Sequence, residues 1–173
     1  MPETMTIDTL SDLMVVELQE LYSTEQQSLE AMPMMAQFAT SPQLKQALEE
    51  HVTQTQGQVQ RLEQIASQLG ASLDGPPTRI VEALIAEGLE KLQSIAEPSV
   101  RDALILAAQQ KLEHIEISCY GTARSHALQL NQPEAADLLQ DTLQEEKQND
   151  ERLTHLAENL VNDQADPMHS QGS

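Results

Sequence analysis

The stretch LEHIEISCYG, residues 112–121, has the spacing of a helix interior, yet it sets Glu113, His114 and Glu116 beside residues that belong in a core. At about 100° per residue, the apolar stripe of this helix runs through Ile105, Ala108, Leu112, Cys119, Ala123, Ala127 and Leu130. Glu116 falls inside that stripe, Glu113 at its edge, and His114 points away. A helix that carries a carboxylate on the face it must bury needs a physical reason, because an isolated buried charge is strongly unfavourable. The reading of this one helix therefore decides whether the chain is a plain bundle or a bundle with something at its centre.

Working outward, the segment is bounded by SVRD (99–102), which offers a Ser-x-x-acid cap, and by NQPE (131–134), which ends it and starts the last helix. Upstream, DGPPT (74–78) is a turn cluster followed by the amphipathic RIVEALIAEGLEKLQSIA, a shorter helix that stops before Pro98. The first helix follows TLSD, with Thr9 as N-cap and Asp12 at N3, and runs to about Thr40, with Pro33 expected to kink or shorten its end. Ser41 and Pro42 open the second, and Gly70 closes it. Two long hairpins joined by a connection with its own short helix are what a bundle needs when its second and third long helices run parallel. The fold expected is all-α: a four-helix bundle of two antiparallel helix hairpins with an additional short crossover helix. Residues 1–7 read as an N-terminal arm, 8–160 as the bundle, and 161–173 as a polar tail expected to fray.

An internal repeat supports this layout. HVTQTQGQVQRLEQIA (51–66) and TLQEEKQNDERLTHLA (142–157) align without gaps at an offset of 91 (142 − 51). The same offset carries Glu25 onto Glu116, Thr55 onto Glu146, and Gln58 onto Asn149. Periodicity puts Glu25 in the middle of the stripe Leu10, Met14, Leu18, Leu21, Leu29 and Met32. It puts His51, Thr55 and Gln58 among Leu44, Leu48, Val59, Leu62, Ala66 and Leu69. In the last helix Thr142, Glu146 and Asn149 lie among Ala135, Leu139, Leu153, Leu156 and Leu160, with Asp150 beside them.

Glu25, Glu116 and Glu146 are thus expected at one level of the core, from separate helices, where they would repel one another unless neutralised. The nine Lys and Arg residues do not lie clearly on any stripe, which leaves raised carboxyl pKa values or a cation. Carboxylate oxygens are hard ligands suited to iron, manganese or magnesium. The candidate ligands are Glu25, Glu116 and Glu146, with Glu113, His51, Gln58, Asn149 and Asp150 as further or supporting groups. The cofactor expected is iron or manganese, one or two ions. Tyr22 and Tyr120, one turn from Glu25 and Glu116, are placed to hydrogen-bond a carboxylate or to donate an electron. The competing readings are a metal-free helical scaffold or interaction protein with a vestigial site, and a bundle groove that opens these acids to water or to a second subunit.

Composition narrows the rest. Twenty-eight acidic against nine basic residues give a formal charge of −19, which repels nucleic acid and anionic lipid. Cys119 is the single cysteine, so no intrachain disulfide is available and nothing argues for an oxidising compartment. The N-terminus lacks the basic and apolar regions of a secretion signal, and no apolar run has membrane-spanning length. A cytoplasmic protein without nucleic-acid or membrane partners is expected. No glycine-rich phosphate loop, zinc spacing or Ser-His-Asp arrangement is present.

The inward acids resemble those of ferritin-like carboxylate bundles, which place a Glu on each of two helices and Glu-x-x-His on each of the other two. Glu25 and Glu116 match the single positions, whereas the paired motifs become Thr55-x-x-Gln58 and Glu146-x-x-Asn149. More closely, ELYSTEQ, HVTQTQGQVQRLE, EALIAEGLE, RDALILAAQQKLEHIEISCYGT and AADLLQDTLQEEKQNDERLTHLAE resemble the YciE/YciF-like family (DUF892) of small bacterial proteins linked to stress. That resemblance, over about residues 6–160, implies a five-helix ferritin-like fold, a homodimer and a dinuclear metal centre with no established reaction. Members of that family often carry acids or His where this chain has Thr53, Gln54 and Gln58, so the second metal position is where the pattern weakens.

Overall fold

The computed structural model describes residues 6–166, and all its regular structure is helical. Helix α1 spans Leu10–Phe38, α2 Pro42–Leu69, α3 Arg79–Ser94, α4 Pro98–Gln129 and α5 Pro133–Leu156. A π-helical turn, Ala157–Val161, then leads into the short α6, Asn162–Ala165.

Local chemistry sets most of the boundaries. Thr9 and Asp12 form a reciprocal capping box at the start of α1, and Pro33 is carried inside that helix rather than ending it. Ser41 accepts from the Leu44 amide with Pro42 in the first turn, and Gly70 stops α2 in the left-handed conformation at φ 64°. Asn131, at φ 59°, makes the turn between α4 and α5, where Pro133 begins the next helix.

One boundary corrects the sequence reading. Helix α4 opens at Pro98 with no side-chain cap, so the SVRD pattern does not work as a box. Asp102 instead reaches across the bundle, where it accepts from the amides of Thr40 and Ser41 and from the Thr40 hydroxyl, each at 2.7 Å. The start of α2 therefore lies beside the start of α4, and the two helices run parallel. Cross-bundle bonds fix the other directions. Glu17–His126, Glu25–Tyr120 and Ser28–Glu116 make α1 and α4 antiparallel, while Glu50–Arg152, Gln54–Asn149 and Gln58–Glu146 do the same for α2 and α5. Helix α3 is the crossover and packs on α1 and α4.

Apolar packing occupies two layers. One, around Leu18, Leu21, Leu62, Ile65, Ala123 and Leu139, fills one end of the bundle; the other, around Met32, Leu44, Leu48, Ile105, Leu106 and Leu153, fills the opposite end. Glu25, His51, Thr55, Gln58, Glu113, Glu116 and Glu146, all buried, lie along the helices between the two. The helical path also continues past 160, and Val161 is buried in the second layer. The remainder of the tail from 167, and residues 1–5 of the arm, lie outside the described residues. Among the described residues no helix is long and apolar enough to cross a membrane.

Candidate metal centre

Four side chains from three helices converge in the middle layer: His51 from α2, Glu113 and Glu116 from α4, and Glu146 from α5. One ligand atom from each lies within 4.8 Å of the others. The three glutamates are fully buried and His51 nearly so. His51 Nδ1 is 3.0 Å from Glu113 Oε1, which also accepts from the Gln109 amide at 2.9 Å. The Gln58 amide donates to Glu146 Oε1 and, at 3.1 Å, to Glu145 Oε2. Ser28 Oγ approaches Glu116 Oε1 at 3.4 Å.

Glu25 stands next to this group without joining it. Its Oε1 accepts from the Tyr120 hydroxyl at 2.5 Å, a bond between α1 and α4 deep in the core. Outside the layer, the Arg61 guanidinium grips Glu145 through two bonds of 2.6 and 2.8 Å and touches Thr142 Oγ1 at 3.1 Å. Its charge is thereby directed at the rim and not at the buried acids.

Electrostatics follow from this placement. Burial, reinforced by repulsion from Glu146, pushes the Glu25 carboxyl up to about 8 even though Tyr120 and His51 work against the shift. Burial and then the charges of Glu25, Glu146 and Glu113 hold Glu116 well above the usual carboxylate range. Glu146 is raised well above it by burial and by the neighbouring Glu113 carboxyl, and Glu113 is raised by burial. Tyr120 is pushed well up by burial and by Glu25. These are carboxyls that resist ionisation unless positive charge is supplied.

The layer also leaves hydrogen-bonding capacity unused. Glu25 Oε2, His51 Nε2, Thr55 Oγ1, Gln58 Oε1, Glu113 Oε2, Glu116 Oε2 and Glu146 Oε2 are buried without a partner. Buried polar atoms are nearly always satisfied in folded proteins, so unsatisfied oxygens and an imidazole nitrogen gathered in one layer form a candidate donor set. Its chemistry, carboxylates with a histidine, fits iron or manganese.

The sequence reading brought most of this together and missed part of it. His51, Glu113, Glu116 and Glu146 converge; Glu25 is alongside; Gln58 serves Glu146 as a donor. Asn149 does not reach the layer: its amide donates to Gln54 at 2.6 Å. Asp150 sits at the rim, 3.3 Å from the exposed His114 but without a hydrogen bond to it, so it borders the cluster and does not enter it. Glu113, expected at an edge, is central. Helix α4 packs against α1, α3 and α5, so its buried arc is broader than one stripe, while Ala108 and Cys119 are only half-buried. Tyr120 bonds Glu25 across the bundle rather than the glutamate on its own helix, and Tyr22 packs against the apolar layer. Gln109 and Ser28 went unnoticed. The only signal for them was spacing, Gln109 one turn before Glu113 and Ser28 one turn after Glu25.

A bundle of two antiparallel hairpins with a crossover helix and a mid-level layer of buried carboxylates defines the ferritin-like class of helical proteins. Within that class, residues 9–166 match the family described as a domain of unknown function, DUF892, and the chain belongs to it. Protein YciF of Escherichia coli (strain K12) is 38% identical over 163 residues, covering 94% of this chain and 98% of that protein. The crystal structure of the E. coli stress protein YciF superimposes with a TM-score of 0.86 over 90% of this chain and 99% of its own. A ferritin-like, diiron-carboxylate protein from Bacillus anthracis str. Ames matches with a TM-score of 0.68 at 18% identity, covering 87% of this chain and 99% of that one, a likeness of fold alone.

Proposed function

We propose that this protein binds iron or manganese in its core through His51, Glu113, Glu116 and Glu146, and works in the cellular response to oxidants or other stress as a cytoplasmic homodimer. The observation that carries the metal reading is the convergence of those ligand atoms within 4.8 Å in a layer whose remaining oxygens have no partner. The stress connection rests on the likeness to YciF, which is described as a stress protein.

A bound iron or manganese ion would supply Lewis-acid and one-electron chemistry toward dioxygen or peroxide. The chain's own residues prepare the place for it. His51 offers Nε2 outward from its contact with Glu113, which fixes the ring orientation, as partners of ligating histidines generally do. Gln109 and Gln58 orient Glu113 and Glu146 by donating to one oxygen of each and leaving the other free. The apolar layers on either side keep bulk water away, which strengthens every charge interaction between them.

The test is metal analysis of protein purified from metal-replete cells, with thermal unfolding of chelator-treated protein titrated with Mn(II) or Fe(II). Bound metal should stabilise the fold by about 2.7 kcal/mol at free ion about 100 times Kd, seen as a rise of several degrees in Tm. Glu113→Gln should cut that rise to about half or less. Protein that carries no iron, manganese or zinc and shows no shift in Tm refutes the reading.

A further inference from the structure

The offset-91 repeat makes the two hairpins equivalent in shape, but their acids are not distributed symmetrically. A two-ion carboxylate centre between four helices takes a carboxylate from each helix. Helix α2 offers none in this layer: Thr55, fully buried, stands where its repeat partner on α5 is Glu146. Glu113 restores the number of buried carboxylates, yet it does so from α4, one turn from Glu116 and against His51. The extra charge therefore falls on the side that already has ligands.

What remains on the other side is poor in free ligands. Glu25 feels the charges of Glu146 and Glu113 and is felt by Glu116, but those three carboxylates belong to the converging group, and the hydrogen-bond partner of Glu25 is the neutral Tyr120. Gln58 turns its NH2 toward Glu146 and Glu145, and Asn149, the repeat partner of Gln58, is engaged by Gln54. One oxygen of Glu25 is already committed to the Tyr120 hydroxyl at 2.5 Å, and Glu25 lies outside the group whose ligand atoms converge. Affinity for hard cations follows the number of charged oxygens and the rigidity with which they are held; a second ion would have one carboxylate of its own, Glu25, with a single oxygen free.

Resting on the metal reading above, we infer that the centre takes a single ion, held by His51, Glu113, Glu116 and Glu146, while Tyr120 keeps Glu25 out of its coordination. Tyr120 is in this sense a positioning residue. Thr55 Oγ1 and Gln58 Oε1 are also buried without a partner, and as neutral groups they suit a hydrogen-bonding molecule better than a second cation.

The experiment is calorimetric titration of chelator-stripped full chain with Mn(II), with metal content measured after gel filtration. The parent chain should bind one ion. Glu25→Gln, which keeps the shape and can still accept from Tyr120, should also bind one ion with affinity within about threefold, whereas Glu113→Gln should lose more than about tenfold, the range expected when a metal ligand or its close support is removed. Two ions per parent chain, or a loss in Glu25→Gln as large as in Glu113→Gln, overturns the single-ion centre while leaving metal binding intact. A parent chain that binds none overturns the metal reading and this inference with it.

Discussion

Two regions of the bundle bury carboxylates, and they do it differently. At one end Asp102, only 2% exposed, receives three donors at 2.7 Å from Thr40 and Ser41. At mid-height Glu113, Glu116 and Glu146 are buried as completely, but each keeps an oxygen with no partner, and they crowd one another. Depth of burial does not distinguish the two cases. The supply of donors does: a carboxylate surrounded by N–H and O–H groups is a structural clasp, whereas carboxylates surrounded by carboxylates are neutralised by protons or by a cation.

The clasp should carry the largest penalty when altered. Asp102→Asn keeps the shape but turns an amide NH2 toward groups that donate, and weakens charge-assisted bonds that tie the start of α2 to α4. A loss of about 2–3 kcal/mol is expected, the worth of a hydrogen bond to a charged group plus some unsatisfied donors, measured by urea unfolding at neutral pH. A change under about 0.5 kcal/mol, the size typical of surface substitutions, would erase the distinction between the two regions.

That clasp was also the part least readable from sequence. Ser99 and Asp102 have the spacing of a local cap, and nothing in the pattern announces a partner some sixty residues away. Long-range hydrogen bonds leave no periodic trace. Caps that act locally were legible for the opposite reason: Thr9 with Asp12, Ser41 with Pro42, and Gly70 are bonded or bent within their own turn. The level of the site was legible through the repeat, since one offset pairs Glu25 with Glu116 and Thr55 with Glu146, and all four are buried in the middle layer. Its exact membership was not, because a stripe is a one-sided idea and α4 is covered by α1, α3 and α5; Glu113 became central for that reason. Side-chain direction at the rim, such as Asn149 turning to Gln54, depends on neighbours that sequence spacing does not place.

The mid-height layer should give the metal-free protein an unusual pH dependence. Glu25 titrates near 8 in the fold against an ordinary 4.5, so between those values the folded chain holds a proton the unfolded chain has released. Stability must then fall as pH rises across that window, and level off once the folded group also ionises. Glu113, Glu116 and Glu146 are shifted in the same direction and add to the slope. Urea midpoints of chelator-treated protein from about pH 5 to about pH 8 should decline steadily, and metal should flatten the decline by supplying the missing positive charge. A midpoint that rises with pH would mean that the buried acids are ionised and compensated by the protein itself.

The smallest effect sharpens the comparison most, because it applies the same chemical change to the other region. Glu116→Gln removes a carboxylate that has one long contact, to Ser28 at 3.4 Å, and sits among the charges of Glu25, Glu146 and Glu113. Exchanging it for a neutral amide of equal shape removes the cost of holding a proton on this buried carboxyl and gives an NH2 to oxygens that lack a donor, so chelator-treated protein should be unchanged or more stable by up to about 1 kcal/mol, the low end of what replacing buried ionisable groups by uncharged ones of similar volume gives. The sign is opposite to that for Asp102→Asn, and the two are measured in the same urea experiment. A loss comparable to that of Asp102→Asn would show that the protein already solvates Glu116, and would remove the electrostatic reason for a cation at this level of the bundle.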